Sequence, residues 1–463
     1  MTAPDLSTSP RAIWRLTWPQ MFMMYFIFFT GFITVWAAGK ISADVQAALG
    51  MVTQCSIFMM VVAMAIASGA TAAISQSLGA LKTLRARRYI GTTVLGSLGL
   101  GIVMSLVGYF FEDAILGLLF VPESILPITR EIWQVAMLTL PAQYLYSASG
   151  VIFRATRQVL PPLWVAAFVC LVYLLACLAF GLGHFGVTSR GYMGLIWSNL
   201  GVQCLGAFCN CFLLIRFGYL QKRARPSWRW LKAALPYLFK VALPAGTASV
   251  VWQSGYLTLF VLVATLPADS VNALAGLNAG LRTEALLFLP GMAFNMSVAV
   301  LVGNSLGANK PAQAKRVGLN MVGIGTLLIT VVAAFLWPFR QELAEMLSQN
   351  PGAQAQIVNY LTYNLLSTPF SIASTIMGGI MVGAGATHYN LMVYGGTFWL
   401  VRLPLGWLLG HILWGTASGV FCAMLCSQCL QTGIMLYVVC KRDWTRFAMH
   451  SGHHARPAMQ RVL

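Results

Sequence analysis

Long apolar runs alternate with short polar loops along most of this chain. A bilayer leaves no water for unpaired backbone groups, so apolar runs of about 20 residues predict membrane-spanning helices. The pattern predicts twelve spans, six in each half of the chain. In the first half they cover about 13–38, 49–76, 89–111, a run that ends near 153, 162–183 and 192–215.

Two short segments show that the halves are related. Residues 75–88 and 303–316 align without a gap, and seven of the fourteen positions are identical. Average composition would give roughly one identity. Each segment contains a glycine, Gly79 or Gly307, where we expect a tight inner turn or a conformational hinge. A phosphate-binding loop is the alternative, but neither segment has the P-loop pattern.

The duplication also predicts how the halves are arranged. Pro244 in the second half corresponds to Pro19 in the first. Each half has six predicted spans, and an even number of spans returns the chain to the side on which it started. Both halves therefore enter the membrane in the same direction. We therefore expect two six-helix lobes, residues 1–225 and 226–463, related by a pseudo-two-fold axis along the membrane normal.

Composition and charge support an all-α integral membrane protein with twelve transmembrane helices. The chain has 58% hydrophobic and 9% charged residues, with a mean hydropathy of +0.75. Its net charge of +18 does not indicate nucleic-acid binding, because the basic residues are spread over short loops. With a cytoplasmic N-terminus, 23 Lys and Arg lie inside and four outside. This bias predicts a multi-pass protein of the cytoplasmic (inner) membrane with both termini cytoplasmic.

The linker between the halves, residues 216–236, is the longest basic stretch. Its Trp228 and Trp230 suit a helix that lies on the inner leaflet. The ten cysteines show no paired spacing with histidines, so we expect no metal site and no cofactor.

Glu284 is the only carboxylate deep in an apolar run, and ionisable groups inside a membrane are usually functional. It is a candidate for carrying a coupled proton. The alternative is a structural salt bridge, but residues two apart on a helix point about 200° from each other, which makes Arg282 a poor partner. Arg402, in the eleventh span, is the other possible partner. Asn278 lies four residues before Arg282 and shares its helical face.

Together these features resemble the multidrug and toxic compound extrusion (MATE) family. The resemblance rests on the QSLGA and NSLGA turns, the repeated prolines and two span motifs, namely Arg282-x-Glu284 followed by Pro290 and Arg402-x-Pro404-Leu405. It implies two lobes in a V, a central cavity that alternates between the membrane faces, and export driven by inward H⁺ or Na⁺. Candidates for lining that cavity are Gln20, Thr34, Gln54, Trp252, Gln253 and Asn278.

One departure from the family affects the coupling ion. Many members have an acid in span 1 where this chain has Thr34, and some have Glu in span 7 where it has Trp252 and Gln253. We therefore expect coupling to H⁺ through Glu284 rather than to Na⁺.

The predicted function is a secondary antiporter that exports lipophilic organic compounds. A flippase for a lipid-linked or amphipathic precursor, or a dedicated exporter of one metabolite, remains an alternative. The expected partners are a small organic substrate and membrane lipid, without nucleic acid, and the protein is expected to be a monomer.

An enzyme is not expected, because the spans supply one Glu and no mid-span His or Asp to serve as catalytic residues. A channel is not expected either, because no repeated filter-like segment is present.

Overall fold

The computed structural model describes residues 9–118, 121–221, 226–267 and 269–449. These residues form helices and loops, and none of them lies in a β-strand. The α-helices are α1 Pro10–Ile41, α2 Ala43–Gly79, α3 Thr83–Phe110, α4 Glu112–Leu118, α5 Leu126–Ala155, α6 Leu160–Ala176, α7 Gly191–Arg216, α8 Trp228–Ala264, α9 Ser270–Gly307, α10 Pro311–Leu336, α11 Arg340–Leu347, α12 Pro351–Ala384, α13 His388–Asn390, α14 Leu403–Trp407 and α15 Ala417–Lys441.

Ten helical segments within the described ranges are long and apolar enough to cross a membrane. The other two predicted spans correspond to α5 and to residues 388–413. In the latter stretch α13 and α14 alternate with π-helical turns at Leu391–Gly395, Phe398–Arg402 and Leu408–Leu413. The chain is thus an all-α multi-pass membrane protein, as the sequence predicts.

The linker differs from its prediction. The helix α8 runs without a break for 37 residues from Trp228, so Trp228 and Trp230 begin this long helix instead of a separate helix on the inner leaflet. Trp230 is buried, and its ring packs edge-on against Tyr89 at 4.9 Å. This packing holds the first turns of α8 against protein. Residues 222–225 of the linker lie outside the described residues.

Contacts group the chain into two compact units. The first is Trp18–Phe239, and the second comprises the described residues from Lys240 onward together with 9–17. The division falls within α8, after the lobe boundary expected between 225 and 226. That boundary, and the axis between the lobes, stay predictions.

In the first unit α5 packs against α2, α3 and α7. Trp133 and Tyr144 of α5 are fully buried. The indole of Trp133 donates to the carbonyl oxygen of Gly108 at 2.8 Å, and the Tyr144 hydroxyl donates to that of Met59 at 2.5 Å. These bonds satisfy the polar ends of two large apolar side chains, so α5 can form the centre of this unit.

In the second unit α12 has the corresponding role and packs against α9, α10 and α15. Glycines of α12 allow the backbones of α12 and α9 to approach each other closely. A Cβ on Gly379 or Gly383 would lie 2.2 or 2.3 Å from a backbone oxygen of α9. Small residues at such contacts are typical of membrane helices, whose backbones pack closely.

The turns predicted at the paired glycines are present. Helix α2 ends at Gly79 and α9 ends at Gly307. The left-handed residue comes two positions later in both repeats, at Leu81 with φ 58° and at Asn309 with φ 57°. Each turn closes with the two backbone hydrogen bonds of a Schellman motif. The glycines themselves are helical, and their role as hinges stays a prediction.

Candidate functional site

Glu284 lies in the middle of α9, and its side chain is half-buried. Its side chain meets α12, and within the described residues α9 and α12 are the most buried of the candidate spans. A carboxylate in this position is therefore held mainly by protein groups.

A glycine explains why Glu284 meets a side chain of α12. A Cβ on Gly280, one turn before Glu284, would lie 2.1 Å from Cδ1 of Tyr360. Because Gly280 has no side chain, the Tyr360 ring lies against the backbone of α9. From there its hydroxyl donates a short hydrogen bond to Glu284 Oε2.

Asn364, one turn after Tyr360, completes this group. Its Nδ2 lies 3.5 Å from the Tyr360 hydroxyl, its side chain also hydrogen-bonds Glu284, and its Oδ1 is buried without a hydrogen-bond partner. Next to these residues is a small pocket. It is lined by Glu284, Leu287, Phe288, Asn364, Ser367, Thr368, Ser371 and Ile372.

Arg402 is the nearby cation, but it forms no ion pair with Glu284. Among the described residues, side-chain ion pairs within 4.0 Å occur at Arg130, with Glu112 and Asp113. Arg402 and Glu284 do interact electrostatically over a longer distance. The salt-bridge partner considered for Glu284 is thus replaced in this structure by a tyrosine hydroxyl.

Arg402 is only 1% exposed and has partners of its own. Its Nε donates to Ser427 Oγ at 2.8 Å, and its side chain hydrogen-bonds Tyr256. The guanidinium also lies 4.4 Å from the ring centre of Phe398 and 5.6 Å from that of Trp252. Buried charges need such compensation, and these groups supply part of it without a direct carboxylate contact, whereas Nη1 of Arg402 is buried without a hydrogen-bond partner.

The predicted cavity residues of the second unit fall into two sets. Trp252 packs its ring 5.3 Å from that of Phe398, and its neighbour Gln253 is half-buried. Asn278 and Arg282 are both exposed, on a face of α9 away from the partners of Glu284. This placement agrees with the helical geometry that made Arg282 a poor partner for Glu284.

The first unit contains the other three candidates. Thr34 Oγ1 lies 2.7 Å from the hydroxyl of the buried Tyr173, and the two side chains form a neutral hydrogen-bonded pair. Gln20 is fully buried, whereas Gln54 is exposed. Within the described residues, no group of three or more His, Cys, Asp or Glu side chains could hold a metal ion.

The sequence reasoning missed Tyr360, Tyr256 and Ser427. A signal for Tyr360 was present, because polar residues recur every three or four positions along α12, at Tyr360, Asn364, Ser367 and Ser371. That spacing places them on one face of the helix.

Comparisons with known proteins agree with the fold and with the repeat. The chain is 24% identical over 344 residues to the probable multidrug resistance protein YpnP of Bacillus subtilis, and the aligned region covers 74% of this chain and 75% of the relative. It is 24% identical over 407 residues to the probable multidrug resistance protein NorM of Bradyrhizobium diazoefficiens, with 86% of each chain covered.

Solved structures share the architecture. The Vibrio cholerae MATE transporter VcmN in its bent form matches with a TM-score of 0.84 at 19% identity, covering 95% of this chain and 98% of that one. The eukaryotic MATE transporter AtDTX14 matches with a TM-score of 0.83 at 17% identity and covers 98% of both chains. The MatE family profile matches twice, at residues 19–178 and 244–408, and each match starts at one of the repeated prolines. This chain therefore belongs to the MatE family of membrane transporters.

Proposed function

We propose that this protein exports lipophilic organic compounds across the cytoplasmic membrane in exchange for protons, and that Glu284 carries the proton. The observation that carries the proposal is the carboxylate of Glu284 within α9, held by the Tyr360 hydroxyl without an ion pair. The substrate class is supported by relatives named as probable multidrug resistance proteins.

The hydrogen bonds around Glu284 suit a group that gains and loses a proton. The ionised carboxylate accepts the Tyr360 hydroxyl, which stabilises its charge. The protonated carboxyl has a free donor, and the unpaired Oδ1 of Asn364 is an acceptor in the same group. Both protonation states therefore have hydrogen-bond partners within one cluster.

Arg402 adds an electrostatic reason for exchange. Ionised Glu284 and Arg402 together carry no net charge, whereas protonated Glu284 leaves the charge of Arg402 uncompensated. Proton uptake therefore makes the site more positive, which weakens the binding of a cationic or electron-poor substrate and favours its release. In this scheme proton binding and substrate binding oppose each other, as antiport requires.

We expect H⁺ and not Na⁺ as the coupling ion. The Tyr360 hydroxyl already occupies Glu284 Oε2 as a hydrogen-bond donor, whereas a hard cation such as Na⁺ would need several oxygen ligands in place of that donor. In the first unit Thr34 forms a neutral hydrogen-bonded pair with Tyr173, so it supplies no carboxylate for Na⁺. The positive-inside bias supports cytoplasmic termini, and we expect the protein to work as a monomer. Export of a lipid-linked precursor stays an alternative hypothesis.

Substrate transport driven by a pH gradient in vesicles tests the proposal, at matched protein levels. Glu284→Gln keeps the shape but cannot cycle a proton, so it should abolish gradient-driven transport and make substrate binding independent of pH. Glu284→Asp should retain partial activity. A Na⁺ gradient without a pH gradient should drive no transport in the wild type.

A purely structural carboxylate predicts the opposite pattern. Losing a hydrogen bond to a charged group costs about 1.5 to 3 kcal/mol, so Glu284→Gln would then mainly reduce the amount of folded protein, and Tyr360→Phe would reduce it in the same way. Wild-type transport rates in the Gln variant would refute the coupling role.

A further inference from the structure

Three basic side chains of the second unit converge on the ring of Phe447. Lys240 Nζ lies 5.2 Å from the ring centre and Arg446 Cζ lies 4.9 Å from it. The imidazole of His388 packs against the same ring, with 4.5 Å between the ring centres. The three residues come from α8, from the start of α13 and from the segment after α15, so the tertiary fold brings them together.

Specific contacts fix the positions of these segments. Thr387 is fully buried, and its hydroxyl donates to the carbonyl oxygen of Val241 at 2.7 Å. This bond holds His388 beside Lys240. On the other side Trp444 is 1% exposed, and its indole donates to the carbonyl oxygen of Val439 at 3.0 Å. Arg446 and Phe447 follow directly, so the cluster is built into the fold.

Among the described residues, no carboxylate lies within 4.0 Å of the charged nitrogens of Lys240, His388 or Arg446. Lys240 and Arg446 both act electrostatically on His388. From Lys240 onward, seven Lys and Arg of the described residues lie at this end of the second unit, namely Lys240, Lys310, Lys315, Arg316, Lys441, Arg442 and Arg446. In the described part of the segment after α15 the carboxylate is Asp443, whose Oδ1 accepts from the Thr445 hydroxyl. Like charges that are held together repel, so an anion bound between them would stabilise the arrangement.

Apolar side chains continue from the cluster toward the middle of the spans. Leu243 follows Lys240 by one turn and is 64% exposed, and Met392 follows His388 by one turn and is 68% exposed. A ligand with an anionic head and apolar chains matches both parts, whereas a free anion uses only the first. By the predicted topology this end of the unit faces the cytoplasm, where anionic headgroups attract basic residues.

We propose that Lys240, His388 and Arg446 bind the phosphate of an anionic phospholipid of the inner leaflet, whose acyl chains lie along Leu243 and Met392. Arg446 supplies a planar fork of donors for phosphate oxygens, and Lys240 supplies a point charge. The ring of Phe447 keeps both cations in place. This site is separate from Glu284 and does not depend on the transport chemistry.

The test measures lipid binding by the full chain, purified in a neutral detergent. Phosphatidylglycerol is titrated against phosphatidylcholine, and bound lipid is counted by native mass spectrometry. The variant K240Q/R446Q removes two charges of the site. The variant K310Q/R316Q removes one exposed Lys and one exposed Arg from the same end of the same unit and is the matched control.

We expect phosphatidylglycerol affinity to fall about 30-fold in K240Q/R446Q, because each basic residue near an anionic headgroup contributes about a factor of five. In K310Q/R316Q it should change less than about three-fold. If K240Q/R446Q is poorly folded, R446Q alone replaces it, with an expected loss of about five-fold. F447L should also weaken binding.

Equal losses in the two double variants would overturn the proposal, because the attraction would then be unspecific. Unchanged binding in K240Q/R446Q would overturn it as well. Displacement of the lipid by millimolar inorganic phosphate would show a free-anion site instead of a lipid site. Transport driven through Glu284 is measured separately, so a failure here leaves the proposed function standing.

Discussion

Gly280→Ala is expected to disturb proton coupling without touching Glu284. A Cβ on Gly280 would lie 2.1 Å from Cδ1 of Tyr360, whereas ordinary contacts begin at 3.4 Å. The ring must therefore move by about 1.3 Å, which is the difference between these two distances. That movement is large enough to break the hydrogen bond from the Tyr360 hydroxyl to Glu284.

The size and the sign of the effect follow from this bond. A hydrogen bond to a charged group contributes about 1.5 to 3 kcal/mol, which corresponds to about one to two pH units. The bond is donated to the ionised carboxylate, so its loss makes Glu284 keep its proton to higher pH. The cytoplasmic-side pH of half-maximal transport should therefore rise by about one to two units.

Transport into vesicles at a series of clamped pH values measures this shift. Tyr360→Phe removes the hydroxyl but keeps the ring, so it should give a shift of the same sign. Gly323→Ala is the control, because a Cβ on Gly323 meets nothing within 4 Å. The double variant of Gly280 and Tyr360 should shift no further than the larger single effect, since both changes remove one interaction. Wild-type pH dependence in both single variants would refute this role of Tyr360.

Three further predictions concern packing and topology. Gly383→Leu should reduce the amount of folded protein several-fold, because its Cβ would lie 2.3 Å from a backbone oxygen. Gly433→Leu should be tolerated, because a Cβ at Gly433 meets open space. Expression level and thermal unfolding distinguish the two variants. Tyr144→Phe removes the hydrogen bond to the carbonyl oxygen of Met59 and should cost about 1 kcal/mol, seen as a lower thermal midpoint without loss of transport. In a variant without the ten native cysteines, single cysteines in 112–130 should react with an impermeant reagent from outside and those in 82–88 should not; labelling of the latter in intact cells would contradict cytoplasmic termini.

The sequence alone determined the membrane class, the helical spans and the repeat. Apolar runs of span length have few alternatives in a bilayer, because every backbone group must be paired within the helix. The duplicated turns could also be read, and both adopt the same Schellman geometry with left-handed residues at Leu81 and Asn309. Helical spacing was sufficient to separate Arg282 from Glu284, since that angle depends on a single helix.

The partners of these residues were decided by the tertiary structure. Tyr360 is one of fifteen tyrosines and lies 76 positions from Glu284, so its role depends on how closely α9 and α12 approach. That distance is set by Gly280 at the contact. The sequence of a span does not indicate which of its glycines lie at a close contact between two helices. The cluster at Phe447 has the same origin. Lys240 and Arg446 are among the charges that the sequence predicts to lie inside, but the packing of three separate segments placed them, together with His388, around one ring.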